Sequence, residues 1–540
     1  MSSPSIPEAP SVGDDPQPED AHLNPAEVLD GRGGTLPSRP RAGQLLRLVV
    51  DALADDGAGL CRVRVGNPPS TSDWRVEVRH ALPGEQVLAQ VGRAGRGVAE
   101  ARLLHIGAHS DDRVAPACRH AGPYDGGERG CGGCALQHLQ PAALSRAKRA
   151  RLCDAFTLAG LDTACVVDGP PVQPAFGMRT KMEFSFADDG DRQPALGLHP
   201  PGFQHQVVAI TSCDHLPERA LAILLAAAAW QRRRGVPRYD GRRQGGWLRT
   251  LGLRIGVRTG FVGVELGTSN LDHVALDVGA VAEGDAPASA PAEATALAAE
   301  LAALLAALPA PPDACWWTRT HVQRGEPTRS ATAALFGALQ VPQRLLLADR
   351  APLELTLHPA AFFQPHAAGA EAIANAVRAL VARCAPARVL DLYCGVGMIG
   401  LAVADLCESL VGVELIAEAV AAAEANAARN GIGHARFLAG DAAATLRAHG
   451  LDATDAFDLV IVDPPRAGLA AAALSSLVAV GARDIVYVSC HPGSLARDLV
   501  GLCAAGWQLQ QVLTLDPFPA TMHLESVAWL RRAAAGAETP

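Results

Sequence analysis

The chain has 540 residues, of which 49% are hydrophobic and 19% are charged. It holds no apolar run long and pure enough to cross a bilayer, so we expect several packed globular domains and no membrane association. The net charge of −9 excludes a general attraction to phosphates, so any contact with a nucleic acid has to use local basic patches. Thirteen cysteines without a secretion signal indicate a reducing, cytoplasmic location, where cysteines serve metals or catalysis.

The N-terminal region divides into a tail and a small β-rich domain. Residues 1–42 are rich in Pro, Ser, Asp and Glu, which predicts a disordered tail. Residues 43–106 alternate short β-rich runs with Gly-rich turns, which predicts an OB-like β-barrel of about five strands. Such barrels commonly bind oligonucleotides.

Residues 107–345 mix strands, helices and turns, which predicts an α+β central domain. Within it, residues 275–312 are rich in Ala and Pro and are predicted to form a surface insertion. The arginines from Arg232 to Arg254 lie among three aromatic residues, Trp230, Tyr239 and Trp247. Such a mixture can hold phosphates and stack on bases. Four more basic side chains share one predicted helix: Arg146, Lys148, Arg149 and Arg151. Either cluster taken alone could equally be a solvated helix face.

After residue 345 the pattern changes to apolar strands that alternate with Ala-rich helices. This alternation predicts a Rossmann-like α/β domain over residues 346–532 with a doubly wound parallel sheet. Ligands of such sheets bind at the carboxyl ends of the strands, and the polar motifs of this region lie at such ends. Residues 533–540 are predicted to form a second tail.

A glycine-rich turn, DLYCGVGMIG, follows the first strand of this domain. Its glycines spell GxGxxG, so taken alone they fit a nicotinamide dinucleotide as well as S-adenosylmethionine. Glu414 ends the second strand, where a carboxylate can accept both hydroxyl protons of a ribose. Asp441 ends a later strand, where it can face an adenine, and Asp463 ends the next in a rigid DPPR turn. Taken singly, Glu414 or Asp441 could instead be a helix N-cap.

The chemistry is indicated by two further strand ends. Arg466 follows the two prolines, where enzymes that methylate exocyclic amines carry an aromatic residue, so the sequence points to another acceptor atom. Carbon 5 of uracil becomes nucleophilic when a thiolate adds to carbon 6, and a base must later remove the proton from carbon 5. Cys490 precedes a helix, which should lower the pKa of its thiol, and Glu525 is the candidate base. Alone, either residue could be a structural one.

With these motifs in this order, the chain resembles the RNA 5-methyluridine methyltransferases that combine a TRAM barrel, an iron–sulfur central domain and a methyltransferase domain. The resemblance spans residues 43–532 and implies methylation of a uridine, with Cys490 as nucleophile and Glu525 as base. The residues that it implies at S-adenosylmethionine are Gln364, Tyr393, Gly395, Met398, Glu414, Asp441 and Asp463. The chain departs from the family pattern at Met398 and His491, where the family often has Asn.

Four cysteines near the front of the chain suggest a metal centre. Their order, Cys118, Cys131, Cys134 and Cys213, includes a CGGC core that fits either zinc or an iron–sulfur cluster. The segments CGGCALQH and AITSCDHL resemble those of the same family, which implies a [4Fe–4S] cluster rather than zinc. The gap after Cys118 is longer than in the family, which makes Cys118 the least secure of the four ligands.

The barrel and the four cysteines are typical of the ribosomal branch of the family, so 23S rRNA is preferred over tRNA as the substrate, and we expect a monomer. One alternative is a nicotinamide-dependent dehydrogenase, which leaves DPPR, Cys490 and Glu525 without a role. Another is a non-catalytic RNA-binding module, against which the intact set of candidate residues argues.

Overall fold

The computed structural model describes residues 28–66, 71–122, 130–241, 245–269, 292–322, 328–451 and 456–532. Within these ranges the chain divides into two compact units, residues 28–111 and residues 112–532. Every helix in the described ranges is too short or too polar to span a lipid bilayer. Residues 1–27 of the predicted N-terminal tail and all of the predicted C-terminal tail lie outside the described residues.

The first unit is an eight-stranded sheet with the order β1-β3-β7-β8-β6-β5-β2, and β4 pairs with β5. Alternate side chains of its strands are buried, as in β5, and they meet in a single apolar core. The sheet therefore curves around one core, as the period-2 pattern predicts. The strands are β1 (Val28–Asp30), β2 (Thr35–Leu36), β3 (Leu45–Val49), β4 (Ala52–Leu53), β5 (Gly59–Val65), β6 (Ser72–Arg79), β7 (Gln86–Gly95) and β8 (Val98–Ala108).

The prediction of a disordered tail is wrong for residues 28–42, which contain strands β1 and β2. Strand β1 pairs in parallel with β3 and β2 with β5, and Leu36 is fully buried in the core. Backbone pairing and one buried leucine outweigh the polar composition of this segment.

The second unit begins with helix α1 (Pro141–Leu158) and strand β9 (Val166–Asp168). A seven-stranded sheet follows, with the order β12-β11-β10-β13-β14-β15-β16, and it is antiparallel except between β14 and β15. Its strands are β10 (Lys181–Asp188), β11 (Pro194–Leu198), β12 (Val208–Ala209), β13 (Leu248–Gly256), β14 (Phe261–Ser269), β15 (Ala314–His321) and β16 (Arg329–Phe336). Helices α2 (Glu218–Arg234) and α3 (Ala292–Ala306) pack against it in one core.

Helix α3 corrects the predicted surface insertion at residues 275–312. Its side chains Leu301 and Leu305 are fully buried among those of α2 and the sheet. Its period of Ala and Leu is therefore a packing face. Residues 275–291 of the predicted insertion lie outside the described residues.

The last part of the unit is an eight-stranded sheet with the order β21-β20-β19-β22-β23-β25-β24-β9. A hairpin precedes it, formed by β17 (Val341–Leu345) and β18 (Leu353–Leu357). The other strands are β19 (Arg388–Leu392), β20 (Ser409–Glu414), β21 (Ala435–Ala439), β22 (Leu459–Val462), β23 (Asp484–Ser489), β24 (Trp507–Leu515) and β25 (Glu525–Arg532). The helices are α4 (Ala367–Cys384), α5 (Met398–Val403), α6 (Ala417–Arg429), α7 (Ala442–Ala448), α8 (Ala471–Val480) and α9 (Pro492–Ala504).

Helices cover both faces of this sheet. Apolar residues of α4, α5 and α6 form one core with it, and those of α1, α7, α8 and α9 form the other. The predicted α/β layering is present, but the sheet is mixed, because β25 runs antiparallel to both β23 and β24. A short connection of nine residues joins β24 to β25, and so short a link cannot return the chain for a parallel pairing.

The predicted domain boundary at residue 346 differs from the packing. It falls within the hairpin of β17 and β18, and the earlier segments α1 and β9 belong to the last sheet. Strand β9 pairs in parallel with β24, and Leu152 and Phe156 of α1 are fully buried in the second core.

Candidate active site

Three ionisable side chains meet where strands β22, β23 and β25 end or begin. Strands β22 and β23 are parallel, so Asp463 and Cys490 leave the same edge of the sheet. Strand β25 is antiparallel to β23 with Ser489 opposite Ser526, which places Cys490 beside Glu525. The structure thus brings both predicted catalytic residues and Asp463 to one place.

The surroundings raise the pKa of all three groups and so favour their protonated forms. Glu525 is 3% exposed, and burial, with a further contribution from Asp463, raises the pKa of its carboxyl to about 8. Burial raises the pKa of the Asp463 carboxyl to about 7. Burial, Glu525 and Asp463 raise the pKa of the Cys490 thiol to about 11, and Arg466 opposes that shift. The lowered thiol pKa expected from the helix N-terminus is therefore wrong, because burial and two carboxyl groups outweigh the helix.

The helix after Cys490 holds the DPPR turn in place. The Nδ1 atom of His491 accepts a hydrogen bond from the Ser494 backbone at 3.2 Å, which caps α9, and the Ser494 hydroxyl donates to the Arg466 carbonyl at 3.0 Å. Asp498 is 2% exposed, and its Oδ2 atom accepts from the Tyr487 hydroxyl and the Leu469 backbone, both at 2.7 Å. Sequence reasoning assigned no role to Ser494 or Asp498, although both lie in the SLARDL segment.

The glycine-rich turn between β19 and α5 is braced by carboxylates. Tyr393 and Gly395 have φ angles of 63° and 54°, a left-handed backbone that costs a tyrosine free energy. Glu414 accepts from the Gly395 backbone at 3.1 Å and from that of Ile416 at 2.9 Å, which fixes the turn. Met398 begins α5 and is buried.

Asp391, to which the sequence assigned no role, lies beneath the same turn. Its side chain is 1% exposed, and its Oδ2 atom accepts from the Gly400 backbone at 3.0 Å. Burial, with Asp463 next, raises the pKa of this carboxyl to about 8. A Cβ atom at position 400 would lie 2.6 Å from that Oδ2 atom, so the close approach requires glycine there.

The remaining predicted cofactor residues lie at two other places. Asp441 follows β21, next to β20, and its exposed carboxylate caps α7 by accepting from the Ala444 backbone at 3.0 Å. Gln364 is 8% exposed and precedes α4, and its backbone carbonyl accepts a hydrogen bond from the Thr180 hydroxyl at 2.7 Å. The N-cap alternative for Asp441 is therefore present in the structure.

The four predicted metal ligands lie near one another in the second unit, as free thiols. Burial and the other three thiols raise the pKa of Cys134 to about 12. The Cys134 sulfur lies 3.3 Å from Nε2 of His215. Among the residues that the structure describes, no group of three or more His, Cys, Asp or Glu side chains is arranged to hold a metal ion. Four thiols that lie this close together nevertheless have the donor chemistry of a zinc or iron–sulfur centre.

The two basic clusters mostly make internal contacts. Lys148 is 1% exposed, Arg149 donates to the Val166 carbonyl at 2.6 Å, and Arg151 donates to the Met522 carbonyl at 3.1 Å. In the second cluster Trp230 and Trp247 are buried in the core around α2. These indole rings are therefore not free to stack on bases.

Comparisons with known proteins agree with this architecture. A family model of tRNA (uracil-5-)-methyltransferases matches residues 330–533. An RNA methyltransferase of Gloeobacter violaceus, not further characterised, is 32% identical over 507 residues, which are 91% of this chain and 97% of that protein. Another, from Nitratidesulfovibrio vulgaris, is 30% identical over 501 residues, or 90% of this chain and 96% of that protein.

A solved structure shares the fold. The crystal structure of a Pyrococcus abyssi tRNA (uracil-54, C5)-methyltransferase in complex with S-adenosyl-L-homocysteine superposes with a TM-score of 0.63 at 24% identity, covering 90% of this chain and 99% of that one. The fold and the relatives together define an RNA methyltransferase. The chain belongs to the RNA 5-methyluridine methyltransferase family.

Proposed function

We propose that the protein transfers a methyl group from S-adenosylmethionine to carbon 5 of a uridine in RNA, with Cys490 as nucleophile and Glu525 as base. The observation that carries this proposal is the meeting of a thiol, Cys490, with two buried or partly buried carboxyl groups, Glu525 and Asp463, at one edge of the sheet. The Pyrococcus enzyme of the same fold, crystallised with S-adenosyl-L-homocysteine, supports the proposal.

The residues divide the chemistry into two bond-making steps. The Cys490 thiolate forms a C–S bond with carbon 6 of the uracil, and the electron pair of the C5–C6 double bond becomes available at carbon 5. Bound S-adenosylmethionine supplies the electrophilic methyl group that carbon 5 takes up. The Glu525 carboxylate then accepts the proton from carbon 5, the double bond re-forms, and the C–S bond breaks to release the thiolate.

The environment of Glu525 suits a base for this last step. A carboxyl whose pKa lies near 8 binds a proton far more tightly than an exposed glutamate, and it still ionises near the operating pH. The glycine-rich turn and Glu414 are the proposed site of the cofactor, with Gln364, Tyr393, Met398, Asp441 and Asp463 completing it.

For the substrate we propose 23S rRNA, acted on by a cytoplasmic monomer, at an unpaired or flipped-out uridine whose carbons 5 and 6 are accessible. The N-terminal sheet, taken as a TRAM domain, and the four cysteines support the ribosomal branch. A tRNA substrate is the second candidate, which the family model and the Pyrococcus enzyme favour.

We further propose that Cys118, Cys131, Cys134 and Cys213 hold a [4Fe–4S] cluster, with zinc as the alternative. Four thiols suit either centre, and uridine methylation requires no electron transfer, so the cluster would have a structural role. Iron, sulfide and zinc analysis of protein purified without oxygen tests this assignment, with Cys134→Ser as the variant that should lose metal.

The central experiment incubates the full chain with S-adenosylmethionine and total RNA from cells that lack the gene. Nucleoside mass spectrometry should detect new 5-methyluridine, and mapping assigns it to rRNA or tRNA. Cys490→Ala should abolish the product, whereas Cys503→Ala, which replaces a partly buried cysteine in the helix α9 that follows Cys490, should not. Product formation by Cys490→Ala would refute covalent catalysis through this thiol.

A further inference from the structure

We propose that Lys148 is a positioning residue for Glu525, holding the segment of residues 516–524, here called the base loop, in the geometry that proton removal requires. The inference rests on the proposed function, because it assigns to Glu525 the role of base. Nothing in the local sequence around Glu525 identifies this lysine, since it lies on α1, far away in the chain.

Lys148 places a buried positive charge on the first residues of the base loop. Its ammonium Nζ lies 2.5 Å from Asp516 Oδ1 and donates to the Phe518 carbonyl at 2.8 Å. The lysine side chain has no exposed surface, whereas that of Asp516 keeps 27%. A charge so buried is retained only with close partners, so the ammonium and the loop have to stay together.

Asp516 is next to the strand pair that carries the base. Leu515, the last residue of β24, lies directly opposite Glu525, the first residue of β25. The base loop thus starts and ends at this pair, and a displacement of Asp516 is transmitted to Glu525 over one residue. Geometric errors of about 1 Å at a catalytic group can cost on the order of 100-fold in rate.

Other contacts hold the far side of the same loop. The Arg151 guanidinium donates to the Met522 carbonyl at 3.1 Å, and the Leu136 backbone donates to the Ala520 carbonyl at 2.9 Å. Ala520 has a φ of 57°, which a non-glycine residue keeps only when its surroundings fix it. Contacts therefore fix the loop on both sides, and Lys148 is the buried cation among them.

A purely structural lysine and a positioning lysine predict different products. If Lys148 only docks α1, its loss reduces the amount of folded enzyme, and every reaction step falls together. If it positions Glu525, addition of Cys490 and methyl transfer continue, but removal of the proton from carbon 5 slows. The methylated RNA then stays bonded to Cys490, because the C–S bond breaks only when that proton leaves.

The test compares wild type, Lys148→Met, Lys148→Arg and Asp516→Asn, all as the full chain. Each is incubated with total RNA from cells lacking the gene and with S-adenosylmethionine labelled in its methyl group. Denaturing gels measure labelled RNA bound covalently to protein, and nucleoside analysis measures released 5-methyluridine. Arg344→Met, which removes an exposed ion pair with Glu354 in the β17–β18 hairpin, is the matched control.

We expect Lys148→Met and Asp516→Asn to accumulate the labelled covalent adduct while kcat falls by about 10- to 100-fold. Lys148→Arg should restore part of the turnover, and Arg344→Met should match the wild type. If Lys148→Met accumulates no more covalent adduct than the wild type, the inference is wrong, whether or not its turnover falls. If Lys148→Met does not fold, the same result in Asp516→Asn decides the question. Failure of the wild type to form any 5-methyluridine or Cys490-dependent adduct would instead refute the proposed function and the inference with it.

Discussion

Burial is the largest cause of the raised pKa values of Cys490, Asp463 and Glu525. Asp463 disfavours ionisation of Glu525, and both carboxyl groups disfavour the thiolate of Cys490. In the absence of RNA this keeps the site close to neutral. Substrate contacts and the cation of Arg466 then have to favour the thiolate when it is needed.

The raised pKa of Glu525 predicts a pH-dependent stability difference. In the unfolded chain this carboxyl ionises near pH 4.5, whereas in the folded protein it stays protonated up to about pH 8. Ionisation of Glu525 therefore costs the wild type stability as the pH rises through this interval, and the variant Glu525→Gln lacks this contribution. We expect the stability of Glu525→Gln relative to wild type to increase by at most about 1.4 kcal/mol per pH unit between pH 5 and 8.

Urea denaturation at several pH values measures this difference. Glu424→Gln, at an exposed position of α6, is the control and should show no such trend. A difference for Glu525→Gln that stays flat from pH 5 to 8 would show that Glu525 is ionised in the folded protein.

Some of these residues could be found from sequence, and others could not. Cys490, Glu525 and Asp463 each end or begin a strand within a distinctive motif, and strand order alone brings them together. Lys148 was predicted as part of a basic surface, because its partner Asp516 is distant in the chain and no local pattern reports that pairing. The direction of the Cys490 pKa was missed for the same reason.

Secondary-structure elements show a similar division. The apolar runs of β19 to β23 were recognisable, because buried parallel strands are nearly continuous runs rich in Val, Ile and Leu. Strands β1, β2 and β9 have two or three residues each and carry no periodic signal. Helix α3 was misread as an insertion, because small Ala residues can face either a core or solvent.

The buried face of α3 predicts that this helix contributes to the stability of the second unit. Leu301→Ala should lower the free energy of unfolding by about 2–5 kcal/mol, because it removes a fully buried side chain and leaves a cavity. Chemical denaturation measures the loss. Ala299→Ser, at an exposed position of the same helix, should change stability little, and an equally small effect of Leu301→Ala would restore the insertion hypothesis.

At the scale of the whole molecule, the last sheet is completed by residues from the front of the second unit. Strand β9 is its edge, and α1 covers one face through Leu152 and Phe156. A chain of residues 346–532 alone should therefore have a lower Tm and aggregate more readily than residues 112–532, since it exposes apolar surface and a strand edge. Thermal unfolding and light scattering test this, and equal behaviour of the two chains would contradict it.

This shared construction affects how the protein is made. Strand β9 leaves the ribosome with Asp168, but its partner β24 begins only at Trp507. At about 5–20 residues per second, α1 and β9 wait tens of seconds for the surface that they cover. During translation, Phe156 and the unpaired edge of β9 are therefore natural targets for chaperones, and translation speed between these two strands should influence the yield of native enzyme.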